Sequence, residues 1–132
     1  MVERTKSEGF DEFVGVVENV ILEPSNLTDG GEQYHLTMKP EGVEITGKTG
    51  LMHEWIRVPP KATETSVPEG SVLDKFVQEL EVLHNEVKKL GSVPEIFAFL
   101  VGKKYLFKKK KLGKSFDGHE AKAYWVPVSF KE

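Results

Sequence analysis

The chain contains no cysteine among its 132 residues. That absence excludes a disulfide scaffold, thiol catalysis and a cysteine-ligated zinc site. Long apolar runs are absent too, since the longest, from Ile96 to Val101, is far too short to span a bilayer. The segment Met1 to Gly9 is polar and lacks the apolar core of a signal peptide. We therefore expect a cytoplasmic protein with no membrane partner.

The chain also lacks a net positive charge. Its formal net charge is -3, which counts mildly against a nucleic-acid binder. The charge is unevenly distributed, however. Residues 101–132 hold nine Lys and three Asp or Glu, a local balance of +6, whereas residues 1–100 are acidic. A local basic surface can act on an acidic molecule. The length fits one domain, which we place at residues 10–132 behind a flexible tail at 1–9.

Five segments are rich in β-branched and aromatic residues, and several alternate apolar with polar side chains, as strands do. Gly15, inside the first, suggests a bulge or sharp bend. In the second, Tyr34, Leu36 and Met38 share one parity. The predicted strands are Phe10–Leu22, Glu32–Lys39, Leu51–Val58, Lys103–Leu112 and Lys122–Phe130.

One long amphipathic helix is predicted between the third and fourth strands. Ser71 is a good N-cap, and Asp74 occupies the acidic position of a capping box. Apolar residues recur at spacings of three and four from Leu73 to Leu90, and Gly91 is suited to end the helix. His84 is expected on its polar side. A short second helix from Pro94 to Leu100 follows.

The order of three strands, a helix and two strands predicts a mainly β fold. Five short strands avoid exposed edges by closing, and the helix can cover one open end. With Gly15 in strand one and the Val-Gly-Lys run at 101–103, residues 10–131 resemble the OB-fold superfamily, including small archaeal or phage-like proteins that bind single-stranded nucleic acid. The resemblance implies a five-stranded, partly open Greek-key barrel. Its ligand face would be formed by strands two and three, with the loops that join strands one–two and four–five.

The string from Gly42 to Thr49 matches the P-loop pattern G-x-x-x-x-G-K-[ST]. A P-loop requires a helix immediately afterwards, so that the helix N-terminus can hold phosphate. Here the residues from Gly50 onward alternate as a strand and end at Pro59-Pro60. We expect a glycine-containing hairpin loop, and a nucleotide site at Lys48 is the alternative.

A polar and aromatic face is predicted where strands two and three pair. If Met52, Ile56 and Val58 face the core, the opposite parity faces outward. An exposed ring next to positive charge is typical of proteins that hold single strands. The alternative is that Trp55 packs under the helix or a loop. The outward set comprises His35, Thr37, Lys39, His53, Trp55 and Arg57.

The lysine-rich fourth strand offers a possible groove wall for phosphates. With Tyr105 and Phe107 inward, Lys104, Lys108 and Lys110 point outward. The alternative is a solvated edge strand protected by its lysines. Two further aromatic residues could stack bases. Phe116 lies in a flexible loop, and the alternative is that it covers the mouth of the barrel. Trp125 is predicted to be exposed, and the alternative is that it forms a dimer contact.

The leading hypothesis is a non-enzymatic module that binds single-stranded DNA or RNA with weak sequence preference. Lys39, Arg57 and the three outward lysines would neutralise phosphates, and Trp55 would stack bases, with Trp125 and Phe116 as further candidates. His35, Thr37 and His53 would add polar contacts. No catalytic residue, metal, cofactor or small-molecule substrate is expected. The alternative is a protein–protein interaction module or a subunit of a larger assembly.

Overall fold

The computed structural model describes residues 12–25, 31–41, 50–113 and 122–131. In these ranges no helix is long and apolar enough to cross a membrane. The elements, in chain order, are β1 (Glu12–Pro24), β2 (Glu32–Pro40), β3 (Met52–Arg57), α1 (Val72–Leu83), a 3₁₀ turn (Asn85–Lys89), α2 (Val93–Leu100), β4 (Lys104–Lys111) and β5 (Ala123–Lys131).

The five strands form one antiparallel sheet in the order β3-β2-β1-β4-β5. The prediction of a mainly β fold is thus confirmed. The sheet is not closed into a barrel, because β3 and β5 lie at opposite edges and no backbone ladder joins them within the described residues. Helix α1 contacts both of these edge strands. The open edges are thus approached by a helix rather than by another strand.

Strand β1 lies at the centre of the sheet and pairs with both β2 and β4. Gly15 faces Pro40 on one side and Tyr105 on the other. A Cβ at Gly15 would lie 2.9 Å from the Lys39 carbonyl oxygen and from a Phe13 ring carbon. The glycine therefore permits a close approach. The bulge predicted there occurs instead between Val17 and Asn19, where the register with β2 shifts.

The core lies where the inward side chains of the sheet meet the helices. Tyr34, Leu36 and Met38 are buried, as their shared parity predicts, and so are Tyr105 and Phe107. Tyr34 stacks on Phe97 of α2 with ring centroids 4.3 Å apart. Aromatic contacts of this kind add roughly 0.5–1.5 kcal/mol beyond the area that they bury. This packing sets which side of β2 is left for solvent.

The start of α1 follows the prediction, but its end does not. The Ser71 hydroxyl accepts the Asp74 N–H at 3.1 Å, while the Asp74 carboxylate accepts the N–H of Gly70 at 2.8 Å. The helix ends at Leu83 rather than at Leu90, because His84 is extended and a 3₁₀ turn follows.

His84 is buried, although the helical pattern placed it on the polar side. Its Nε2 lies 2.9 Å from the hydroxyl of Tyr105, and its ring packs edge-on against Phe99 and Phe130. Leaving the helix at this residue gives the imidazole a buried partner. Burial lowers the pKa of His84, with Glu86 opposing and Lys103 reinforcing the shift.

We predict that the protein loses stability as the pH falls below about 6.5, the pKa of an unperturbed histidine. The unfolded chain then binds a proton at His84 that the folded chain, with its lowered pKa, does not bind, so protonation favours unfolding. Urea unfolding between pH 7.5 and 5.5 measures this slope.

His84→Gln is the matched control, because the glutamine amide can occupy the place of Nε2 without titrating. Its pH slope should be shallower than that of the parent. Equal slopes in the two proteins would show that His84 does not cause the effect.

Candidate functional site

The outer side of β1, β2 and β3 carries a cluster of aromatic and acidic side chains, here called the aromatic face and defined as Glu23, His35, His53 and Trp55. Register brings them together, since His35 pairs with Trp55 and Thr37 with His53. All lie opposite the inward parity of Tyr34, Leu36, Glu54 and Ile56. The prediction that His53, Trp55 and Arg57 point away from the core is confirmed.

The ring of Trp55 is nearly parallel to each of the two imidazoles of the aromatic face, which are themselves tilted by 38° to each other. The ring centroids of His35 and Trp55 are 4.8 Å apart with an interplanar angle of 21°, and those of His53 and Trp55 are 5.8 Å apart at 18°. Trp55 remains 40% exposed. The alternative that Trp55 is covered by the helix or a loop is thus wrong. The arrangement is a flat and partly exposed aromatic surface.

Hydrogen bonds fix the orientation of these rings. One oxygen of Glu23, Oε1, lies 2.9 Å from His35 Nδ1 and accepts the Trp55 indole N–H at 3.2 Å. His35 Nε2 lies 2.9 Å from His53 Nδ1. Both ring nitrogens of His35 therefore have a hydrogen-bond partner. His53 uses its Nδ1 in this contact, which leaves its Nε2 for other contacts. In the described part of the chain no group of three or more acidic or histidine side chains is arranged to hold a metal ion.

Glu23 was missed in the sequence because simple alternation along β1 would turn it inward, with Phe13 and Val17. The bulge at Glu18 shifts the alternation by one residue, so that Glu23 joins the outward side. A one-residue shift exchanges the two faces of a strand. The bulge itself had no sequence signal beyond the nearby glycine, which lies three residues away.

The predicted cations differ in their availability. Arg57 and Lys39 are exposed, and neither forms an ion pair within the described ranges. In contrast, the amino groups of Lys104, Lys108 and Lys110 lie 2.7, 3.8 and 2.8 Å from carboxylate oxygens of Glu41, Glu12 and Glu79. The side chains of these lysines are at least partly exposed, but acidic neighbours offset their charge, and the partner of Lys110 lies on helix α1.

Trp125 is buried, with 6% of its surface exposed, so the prediction of an exposed ring is wrong. The alternation of β5 breaks here, since Trp125, Val126 and Pro127 are all buried and the β4–β5 register shifts between Leu106 and Phe107. The ring packs edge-on against Phe13 at 4.8 Å, and the amino group of Lys109 lies over it. Phe116 and the P-loop-like string at 42–49 lie outside the described residues.

A buried carboxylate holds the aromatic face to the rest of the sheet. Glu54, only 3% exposed, accepts the backbone N–H of Trp125 at 2.7 Å with one oxygen and that of Trp55 at 3.1 Å with the other. Lys122 lies 3.5 Å from it. Glu54 thus joins the edge strands β3 and β5 without a backbone ladder. No pattern in the sequence predicted this bridge.

No protein-family model matches the sequence, and no curated protein matches it. The chemistry of the site therefore follows from its geometry. A flat, partly exposed ring surface favours stacking with another flat group, and the exposed Arg57 favours an anion beside it.

We predict that Glu54→Gln lowers the free energy of unfolding by about 1.5–3 kcal/mol, the range for hydrogen bonds to a charged group. The amide keeps one acceptor oxygen, but it turns a donor toward Trp55 N–H or Lys122. Urea unfolding at pH 7 measures the loss.

Glu41→Gln provides the control, because it removes an exposed ion pair with Lys104. Such pairs contribute about 0–1 kcal/mol. A similar small cost for both substitutions would contradict the bridging role of Glu54.

Proposed function

We propose that the protein binds single-stranded DNA or RNA on the aromatic face, with weak sequence preference. The observation that carries this proposal is Trp55, an exposed ring held nearly parallel to His35 and His53 by Glu23. A fixed, flat ring loses little freedom when a base stacks on it. Stacking of a base on an aromatic side chain contributes about 1–3 kcal/mol and accepts any base.

Positive charge near the rings is supplied by Arg57 and Lys39. Arg57 follows Trp55 by two residues on the same side of β3, so the two side chains leave the strand about 6.6 Å apart. A guanidinium binds phosphate oxygens with two parallel hydrogen bonds. Thr37 and the Nε2 of His53 supply polar contacts between these two cations. The proposed site thus contains His35, Thr37, Lys39, His53, Trp55 and Arg57.

The lysines of β4 have a smaller part in this proposal. For Lys104, Lys108 or Lys110 to contact phosphate, each must leave its carboxylate partner. The net gain from such an exchange is small. Trp125 is left out because its ring is buried.

We also propose that the fold is of the OB type. The strand order β4-β1-β2-β3 supports this, since three consecutive strands with the fourth beside the first define a Greek key. The Glu54 bridge between β3 and β5 further supports it, because a partly open barrel has its gap between such strands.

A protein-interaction surface is the second candidate function. Ile21 and Leu22 are 44% and 45% exposed, and Ile21 lies directly opposite His35 on the outer side of the sheet. Exposed apolar side chains beside an exposed tryptophan are characteristic of protein interfaces. The response of binding to salt separates the two candidates, since phosphate contacts weaken steeply as salt rises.

We predict that labelled oligo-dT and oligo-U bind the protein and that Trp55→Ala weakens binding by roughly 5- to 150-fold, as the loss of one stacked base implies. Binding should also fall between 50 and 200 mM salt. Fluorescence anisotropy measures both effects.

Phe130→Leu is the matched control, because Phe130 is equally exposed, at 41%, but lies on β5 away from the aromatic face. It should leave the affinity unchanged. An equal loss in both variants, or no binding by the parent at low salt, would refute the proposed function.

A further inference from the structure

A small cavity opens at the gap between β3 and β5, immediately beyond the aromatic face. It has a volume of about 290 Å³ and is lined by Arg57, Pro59, Pro60, Val72 and Tyr124. Ligand pockets run from about 300 to 1,000 Å³, so this one is of a size for a single flat ring system. Apart from Arg57 and the Tyr124 hydroxyl, its side chains are apolar.

The walls of the cavity come from three separate parts of the chain. Pro59 and Pro60 follow the end of β3, Val72 is the first residue of α1, and Tyr124 belongs to β5. Prolines and a tyrosine offer flat, rigid surfaces to a ring. Burial raises the pKa of Tyr124, with Glu54 reinforcing and Arg57 opposing the shift, so its hydroxyl keeps its proton at neutral pH.

Two cations lie near the cavity: Arg57, which lines it at the end of β3, and Lys122, which precedes β5 and lies next to the lining residue Tyr124. The amino group of Lys122 lies 4.7 Å from the centre of the Tyr124 ring and is directed to Glu54. Arg57 has no carboxylate partner in the described part of the chain. Of these two cations, Arg57 is therefore the one that has no acidic partner among the described residues, and it follows Trp55 by two positions on β3.

The order of these groups along the chain, with Trp55 first, then Arg57 and then the prolines of the cavity, parallels the order of units in one ligand. Trp55 and Arg57 are two residues apart in an extended strand, about 6.6 Å along its axis. Along a strand of nucleic acid, flat bases alternate with anionic phosphates. In the same order, Trp55 offers a surface for one base, Arg57 a cation for a phosphate, and the cavity a place for the next base. A free, uncharged aromatic compound could fill the cavity, but it would offer no anion to the neighbouring guanidinium of Arg57.

Resting on the proposed function, we infer that the cavity takes a second nucleobase, the neighbour of the base stacked on Trp55, while Arg57 binds the phosphate between them. The smallest ligand that fills the site is then a dinucleotide.

The first test fills the cavity from the protein side. Val72→Phe should place a ring in the cavity and weaken oligo-dT binding by roughly 5- to 150-fold, the effect of losing one stacked base. Quenching of Trp55 fluorescence at saturation should persist. Val82→Phe is the matched control, since Val82 lies on the same helix, is 83% exposed and does not line the cavity.

Parent-like affinity in a folded Val72→Phe variant would overturn the inference while leaving the function on Trp55 intact. Loss of quenching together with affinity would mean that the substitution disturbs the aromatic face, and it would also count against a separate second subsite. No binding by the parent would remove both proposals together.

The second test uses the unmodified protein, so it does not depend on how a variant folds. The dinucleotide d(TpT) should shift the NMR signals of the Trp55 indole and of the Tyr124 ring. The analogue in which one thymine is replaced by an abasic sugar should shift only the Trp55 indole. Equal shifts of Tyr124 with both ligands, or with neither, would overturn the inference.

Discussion

The buried carboxylate of Glu54 is the constraint on which the arrangement of the site depends. A charge of this kind is stable inside a protein only when its oxygens have hydrogen-bond partners. Glu54 finds them in the backbone of its own strand, at Trp55, and in that of the opposite edge strand, at Trp125. The two edges of an open sheet are thereby linked, which holds in place both the cavity between them and the edge strand that carries Trp55.

A second constraint lies in β1, where one extra residue changes which side chains face outward. Up to Val17, the odd-numbered residues are buried, and after the bulge at Glu18 they face solvent. This change brings Glu23 to the rings of His35 and Trp55, whose orientation it fixes. The aromatic face is therefore a product of three strands, although only two of them supply its rings. Rings oriented before a ligand arrives lose little entropy on binding, which favours stacking.

The sequence predicted the parts of this structure that depend on local periodicity. Alternation in β2 and β3 correctly placed Tyr34 and Ile56 inside and Trp55 outside, and Ser71 was recognised as a cap. Features that depend on tertiary contacts were missed. His84 leaves its helix for a partner on β4, Trp125 is covered where alternation in β5 fails, and Glu54 meets a strand far away in the chain. None of these contacts has a periodic signature, because each pairs residues from separate elements.

The two tryptophans make the most direct test of the central claim, since one is exposed on the aromatic face and the other is buried. In a ¹H–¹⁵N spectrum their indole N–H signals can be followed while oligo-dT is added, with the Trp55→Phe variant used for assignment. A binding site on the aromatic face predicts that the Trp55 indole signal moves with saturation and that the Trp125 signal stays in place. Movement of the Trp125 signal with an unchanged Trp55 signal would contradict the account.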